Sequence, residues 1–345
     1  LHGHRGFGFL LTGTIVNLKD RITLEIGSAE ESIFRGSIAL LGEGADLTLQ
    51  SDQWLYWEGA LTVGGNLTIL GGIGFDGANL GGANAMGVSV YLHPTSTLTT
   101  SGAGTGIKLT GAGDVKVNGV IVAGGAVTET GVVHSGPDST VEISAGGRLT
   151  LNAAVFASKS VVLNGGAGFG LDVTTQGSVV VTGDTSDDSA GFIRAISLGD
   201  IQMKGLLLAG GIVSDGGFAF GDDNAFVRIA SAGQLWIGGR TTNAAGAEVE
   251  VGGAVRASGR VELSGGMHAT DGVGLRISGA STVVTNNADS DILIESVQDA
   301  IVDGAVVAGG RILTHRDEQG RLLGTTVENF SGESSISIST GGALR

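Results

Sequence analysis

The chain has no cysteine and only two prolines, so a disulfide framework and thiolate chemistry are excluded and no Pro-rich linker divides it. Aromatic residues make up 5% and charged residues 15%, which excludes an aromatic-rich core and the charge density of a disordered chain. Bases are scarce. Lys and Arg number 19 against 34 Asp and Glu, leaving a net charge of −15. That surface disfavours nucleic acid and anionic membrane as partners, and it suits solubility and cations. Long apolar runs are missing too. Runs such as VIVA (120–123) and LLLA (206–209) are cut by Gly well before the roughly 20 residues of a spanning helix. Residues 1–11 carry His2, His4 and Arg5 and lack the apolar region and cleavage site of a signal peptide. Without an initiator Met, the sequence reads as a fragment or a mature product.

What is abundant is glycine, 64 of 345 residues, set among Val, Ile and Leu. A flexible Gly linker lacks branched aliphatics, so this glycine serves turns between short apolar segments. Three stretches align without gaps: IKLTGAGDVKVNGVIVAGGAV (107–127), IRAISLGDIQMKGLLLAGGIV (193–213) and ILIESVQDAIVDGAVVAGGRI (292–312). Each places Asp seven residues after the first Ile, at Asp114, Asp200 and Asp299, then Gly five later, then Ala-Gly-Gly. A second block, VEISAGGRLTL (141–151), recurs as VRIASAGQLWI (227–237), each starting 27 residues after its Asp. ISISTGGAL (336–344) is a delayed third copy and IALLGEGADLTL (38–49) a fourth. VVLNGG (161–166), VELSGG (261–266) and LTILGG (67–72) form a third block.

Repeats of 86 and 99 residues between the Asp positions, each holding several short alternating strands and no helical stripe, point to a solenoid rather than a sandwich. The expected fold is all-β: a right-handed parallel β-helix filling residues 37–345, with residues 1–36 a degenerate segment of strands continuous with it. At about 20–22 residues per coil and about 4.8 Å between coils, each long repeat would be four or five coils. The whole would be roughly 16 coils and 75–80 Å long. Polar, acidic or Gly-rich segments at 74–87, 182–191, 218–224 and 315–324 read as corner insertions, where solenoids place function.

STVEISAGGRLTL, GSVVVTG and GVIVAGG resemble the filamentous haemagglutinin-like large exoproteins and related giant bacterial surface adhesins, over most of residues 37–345. The resemblance implies a right-handed β-helix, export to the bacterial surface or medium, and adhesive, matrix or filament roles. Residues 1–35 do not show that family's secretion-cap pattern.

Enzymatic β-helices need carboxylates clustered on neighbouring coils. Asp114, Asp200 and Asp299 are several coils apart, so they read as turn residues. Asp184, Asp187 and Asp188 are the densest acidic group, and Asp76 sits in GGIGFDGAN, a single partial match to a Ca²⁺-binding nonapeptide. These four are the Ca²⁺ candidates, with a solvated turn as the competing reading; no other cofactor is expected. Trp54, Tyr56 and Trp57 are three of the five Trp and Tyr residues. Alternation puts Trp54 and Tyr56 on one face and Trp57 on the other. Exposed, they would meet sugar rings or a partner; the reading favours burial or packing under a loop. No nucleophile elbow, phosphate loop or dinucleotide fingerprint occurs. The expectation is a non-enzymatic, adhesive rod contacting cell-surface or matrix glycans or proteins and stacking end to end. A polysaccharide-binding or polysaccharide-degrading β-helix and a phage fibre are the alternatives.

Overall fold

A computed structural model describes every residue except 1, 4–7, 74–82, 85, 129–130, 135, 184–188, 215–216, 222–223, 244, 317–321 and 331. Among the described residues there are strands and turns but no helix, so none is long and apolar enough to cross a membrane. Three parallel sheets hold 12, 11 and 11 strands, and the chain visits them in strict rotation. One rotation runs through Asp46–Ser51, Leu55–Trp57 and Ala60–Val63; the next through Leu67–Gly71, Val88–Leu92 and Thr97–Thr100. Each rotation is one coil of a parallel β-helix. Eleven coils are complete, and Ser335–Thr340 opens a twelfth.

The register explains the aliphatic composition. In the first sheet Leu47, Leu67, Ile107, Val141, Val161 and Ile193 lie one above another, and beside them Leu49, Ile69, Leu109, Ile143, Leu163 and Ala195. All are buried. Each such aliphatic side chain contributes about 1.5–3 kcal/mol relative to exposure, and a one-residue slip would turn a whole strand inside out. The main core is therefore one continuous column reaching from Ile26 to Ile294.

The coil count corrects the expected 16. A bare coil takes 20 residues, from Leu47 to Leu67 and again from Val141 to Val161, as the strand spacing implied. Other coils carry insertions, so the step from Leu67 to Ile107 takes 40 residues and that from Ile292 to Ile336 takes 44. Averaging over bare coils overcounted them. Asp114, Asp200 and Asp299 open second-sheet strands on coils five, eight and eleven, so the long repeat is three coils rather than four or five. The stacked strands span on the order of 50 Å.

Several insertions are antiparallel hairpins rather than polar loops. Gly125–Thr128 pairs with Gly131–His134, Gly211–Ser214 with Gly217–Phe220, and Gly310–Arg316 with Leu322–Asn329. All three start at the repeated Ala-Gly-Gly. Gly124, Gly210 and Gly309 have φ of 67°, 79° and 64°, a left-handed turn that throws the chain off the third sheet. Each hairpin rests on the third-sheet strand of the preceding coil: Thr97–Thr100, Ser178–Val181 and Thr282–Thr285. The outward column of that sheet is accordingly apolar. Val122, Val180, Leu208, Val284 and Val307 are buried there, outside the main core. On the intervening coils Phe156 and Arg256 are only half-buried. The fourth hairpin, Gly239–Thr242 with Glu248–Val251, leaves between the second and third sheets of coil nine.

Gly124→Ala would force an L-residue into the left-handed region with its Cβ 2.6 Å from that of Ser139. A loss of at least about 1–2 kcal/mol is expected. Gly221→Ala, which meets nothing within 4 Å, should stay within about 0.5 kcal/mol. Denaturation midpoints of the two variants check this.

Candidate functional site

The recurring Asp residues prove to be clamps between coils. The Oδ1 of Asp114, Asp200 and Asp299 accepts a backbone N–H from the next coil, Arg148, Gln234 and Ala343 respectively, each at 2.8 Å. The residue before each donor is glycine. A Cβ on Gly147, Gly233 or Gly342 would fall 2.3, 2.1 or 2.2 Å from that oxygen. The Asp of one repeated block and the Gly of the next are thus two halves of one contact, which is why the blocks recur together. Successive clamps stand about 14 Å apart and share no site.

The Ca²⁺ candidates Asp76, Asp184, Asp187 and Asp188 lie outside the described residues. Among the described residues no three His, Asp or Glu side chains converge on a metal-sized space.

The aromatic cluster divides between the two faces of Leu55–Trp57, as alternation requires. Trp57 points inward and is fully buried. Its ring lies 5.1 Å from Phe34, and Phe34 lies 5.3 Å from Phe9, so the core starts with aromatics before turning aliphatic. Trp57 Nε1 donates to Gly59 O at 2.9 Å. Trp54 and Tyr56 are half-buried on the outside. The next coil adds two rings the sequence reading did not include. Tyr91 stacks on Tyr56 with centroids 5.5 Å apart and planes 3° apart, and His93 lies 6.1 Å from Tyr56. Trp54 meets Tyr56 edge-on at 6.0 Å. The signal was legible in retrospect: LYW and VYL are the same φ-Tyr-φ triplet in equivalent positions, paired Tyr56 to Tyr91.

Charged groups hold these rings. Trp54 Nε1 donates to Glu31 Oε2 at 2.7 Å, and the Tyr56 hydroxyl donates to Glu58 Oε2 at 3.1 Å. Arg35 stands 3.6 Å from Glu58 and 6.0 Å from the Tyr56 centroid. Gln53 donates to Glu30 at 2.7 Å, and His93 Nδ1 lies 2.8 Å from Thr95 Oγ1. The result is a fixed aromatic strip on coils three and four, rimmed by carboxylates from coils two and three. Partial burial, and then the bond to Glu58, raise the Tyr56 phenol above its ordinary value.

Farther along the same outward column the residues turn ionic. Asp172 is nearly buried and joins Arg148 on one side and Lys204 Nζ, at 2.9 Å, on the other. The Arg148 guanidinium covers Phe169 at 4.3 Å. One carboxylate is shared by two cations from the coils on either side, so this cluster fastens coils six to eight.

No protein-family model, curated protein or solved structure matches this chain.

Two outcomes are expected. In Tyr91→Phe, where Tyr56 is the remaining tyrosine, ultraviolet titration should give a midpoint above the usual phenol value of about 10, and adding Glu58→Gln should lower it. Asp172→Ala should cost about 3 kcal/mol, because it strands a mostly buried Lys204 ammonium, and Asp172→Leu with Lys204→Met should recover most of it. Chemical denaturation of the single and double variants measures both.

Proposed function

We propose that this chain is a stiff structural segment of an exported bacterial surface or extracellular protein, and that the strip of Trp54, Tyr56, Tyr91 and His93 is where it contacts its partner. The observation that carries this reading is the strip's prior order. Tyr56 and Tyr91 stand on strands whose other face is locked in the core, Trp54 and His93 directly flank those strands, and the tips of Trp54 and Tyr56 are held by carboxylates. A partner then arrives without having to immobilise these side chains, which otherwise costs about 0.5–1.5 kcal/mol each.

The chemistry favours a glycan. Aromatic rings with polar tips suit the apolar faces and hydroxyls of sugar rings. Glu30, Glu31 and Glu58 on the rim, in a chain of net charge −15, repel polyanions. Neutral or amine-bearing glycans of a cell surface or matrix therefore fit better than acidic ones. A rod that resists bending and displays such a strip serves adhesion or matrix assembly. The resemblance to filamentous haemagglutinin-like exoproteins supports the same role and an extracellular location.

A glycan panel should bind the wild-type chain. Trp54→Ala should weaken the best ligand by about tenfold, equivalent to about 1.4 kcal/mol, with the melting profile little changed because Trp54 is half-exposed. Undiminished binding by the variant would overturn the reading. Release of reducing ends by the wild type would replace it with polysaccharide cleavage.

A further inference from the structure

Three hairpins share one corner of the rod. Those at 125–134, 211–220 and 310–329 leave where the chain passes from the third sheet to the first, after coils five, eight and eleven. Their spacing is equal, three coils or about 14 Å. Each is a two-stranded sheet, so among the described residues its outer edges have no further strand paired to them. Such edges are templates for another strand.

Exposed apolar side chains recur on these hairpins, beside an exposed Arg311–Glu328 ion pair on the third. Val127 is 40% exposed, Val133 51%, Ile212 50%, Val213 55% and Val327 52%. Single exposed aliphatics are ordinary; their recurrence on each of three hairpins along one corner is not. Net charge is also small there. Residues 125–134 hold only Glu129 and residues 211–220 only Asp215. Residues 310–329 balance Arg311, Arg316 and Arg321 against Asp317, Glu318 and Glu328. The comb thus carries little of the chain's net −15.

We propose that this comb is a self-association surface: a second copy of the chain lies alongside, antiparallel, and the hairpins of the two rods pair edge to edge. The equal spacing is what an antiparallel second copy requires. Reversed end for end, the comb coincides with itself. The 211–220 hairpin meets its own copy on the two-fold axis, and 125–134 meets 310–329. Three contacts then close together, each raising the effective concentration of the others. Like-charged rods meet where their repulsion is weakest. The 239–251 hairpin stands alone at another corner, where Arg276 lies 3.5 Å from its Glu250. This surface is separate from the aromatic strip, and the proposal does not rest on glycan binding.

The absence of cysteine makes single introduced thiols specific reporters. Under mild oxidation Ile212→Cys should give a covalent dimer. Val133→Cys alone should not, whereas Val133→Cys mixed with Val327→Cys should. In sedimentation the wild-type chain should run as a dimer and the triple variant Val133→Lys, Ile212→Lys, Val213→Lys as a monomer. Leu198→Lys with Val297→Lys, equally exposed at a different corner, should remain dimeric. A monomeric wild type, a Val133→Cys crosslink with Ile212→Cys silent, or dissociation of the control variant would each overturn the proposal.

Discussion

Every outward feature of this protein depends on the vertical register of its coils. Once Leu47 stands on Leu67 and Leu67 on Ile107, the residues between them are placed on the outside, also in vertical rows. The sheet geometry leaves no freedom to move one residue without moving its strand. Tyr56 stacks on Tyr91 for the same reason that Leu55 stacks on Val90. The Asp172 ion cluster and the buried outer column from Val122 to Val307 follow from the same rule. Insertions are tolerated at corners because the register is restored on the next strand, even after 40 residues between Leu67 and Ile107.

The parts of the fold legible from sequence are those that every coil repeats. Alternation and glycine punctuation fit a sandwich as well as a solenoid; the aligned blocks favoured stacked parallel strands, and the 20-residue bare coil was visible in them. The coil number was not, because corner insertions have no periodicity and lengthen the chain without lengthening the rod. The hairpins were hidden by similar chemistry. GAVTETGVVH alternates much as a coil strand does, and only pairing shows Val127 facing Val132. One hairpin did carry a signal: Asp-Gly stands between the paired Ser214 and Gly217. At the candidate site, alternation correctly separated Trp54 and Tyr56 from Trp57. It could not supply Tyr91 and His93, which a long insertion holds far away along the chain.

The long repeat acquires a physical meaning from these contacts. Its three-coil period is the period of the hairpins, and the same coils carry the Asp clamps. A coil that ejects a hairpin interrupts the path from the third sheet to the first, and the stacking of the following coil must be secured elsewhere. Asp114, Asp200 and Asp299 do this at the opposite corner, each taking a backbone N–H of the coil that follows its hairpin. Ala-Gly-Gly and the Asp–Gly clamp therefore recur together on these three coils, and the same clamp also forms without a hairpin where the Asn66 N–H donates to Asp46 Oδ1 beside Gly65.

The placement of the two proposed surfaces along the rod has a consequence for assembly. The aromatic strip occupies coils three and four, and the comb begins after coil five. Pairing two combs antiparallel overlaps the hairpin-bearing coils and leaves a strip near each end of the pair. Parallel pairing would instead place both strips together, where one partner could occupy them at once. The antiparallel pair is thus a cross-linker and the parallel pair a bivalent binder of a single target. In a parallel pair each hairpin would meet its own copy whatever the spacing, whereas the antiparallel pair is the one that makes use of the equal three-coil spacing. That geometry suits a protein that joins separate glycan chains into a matrix better than one that grips a single receptor.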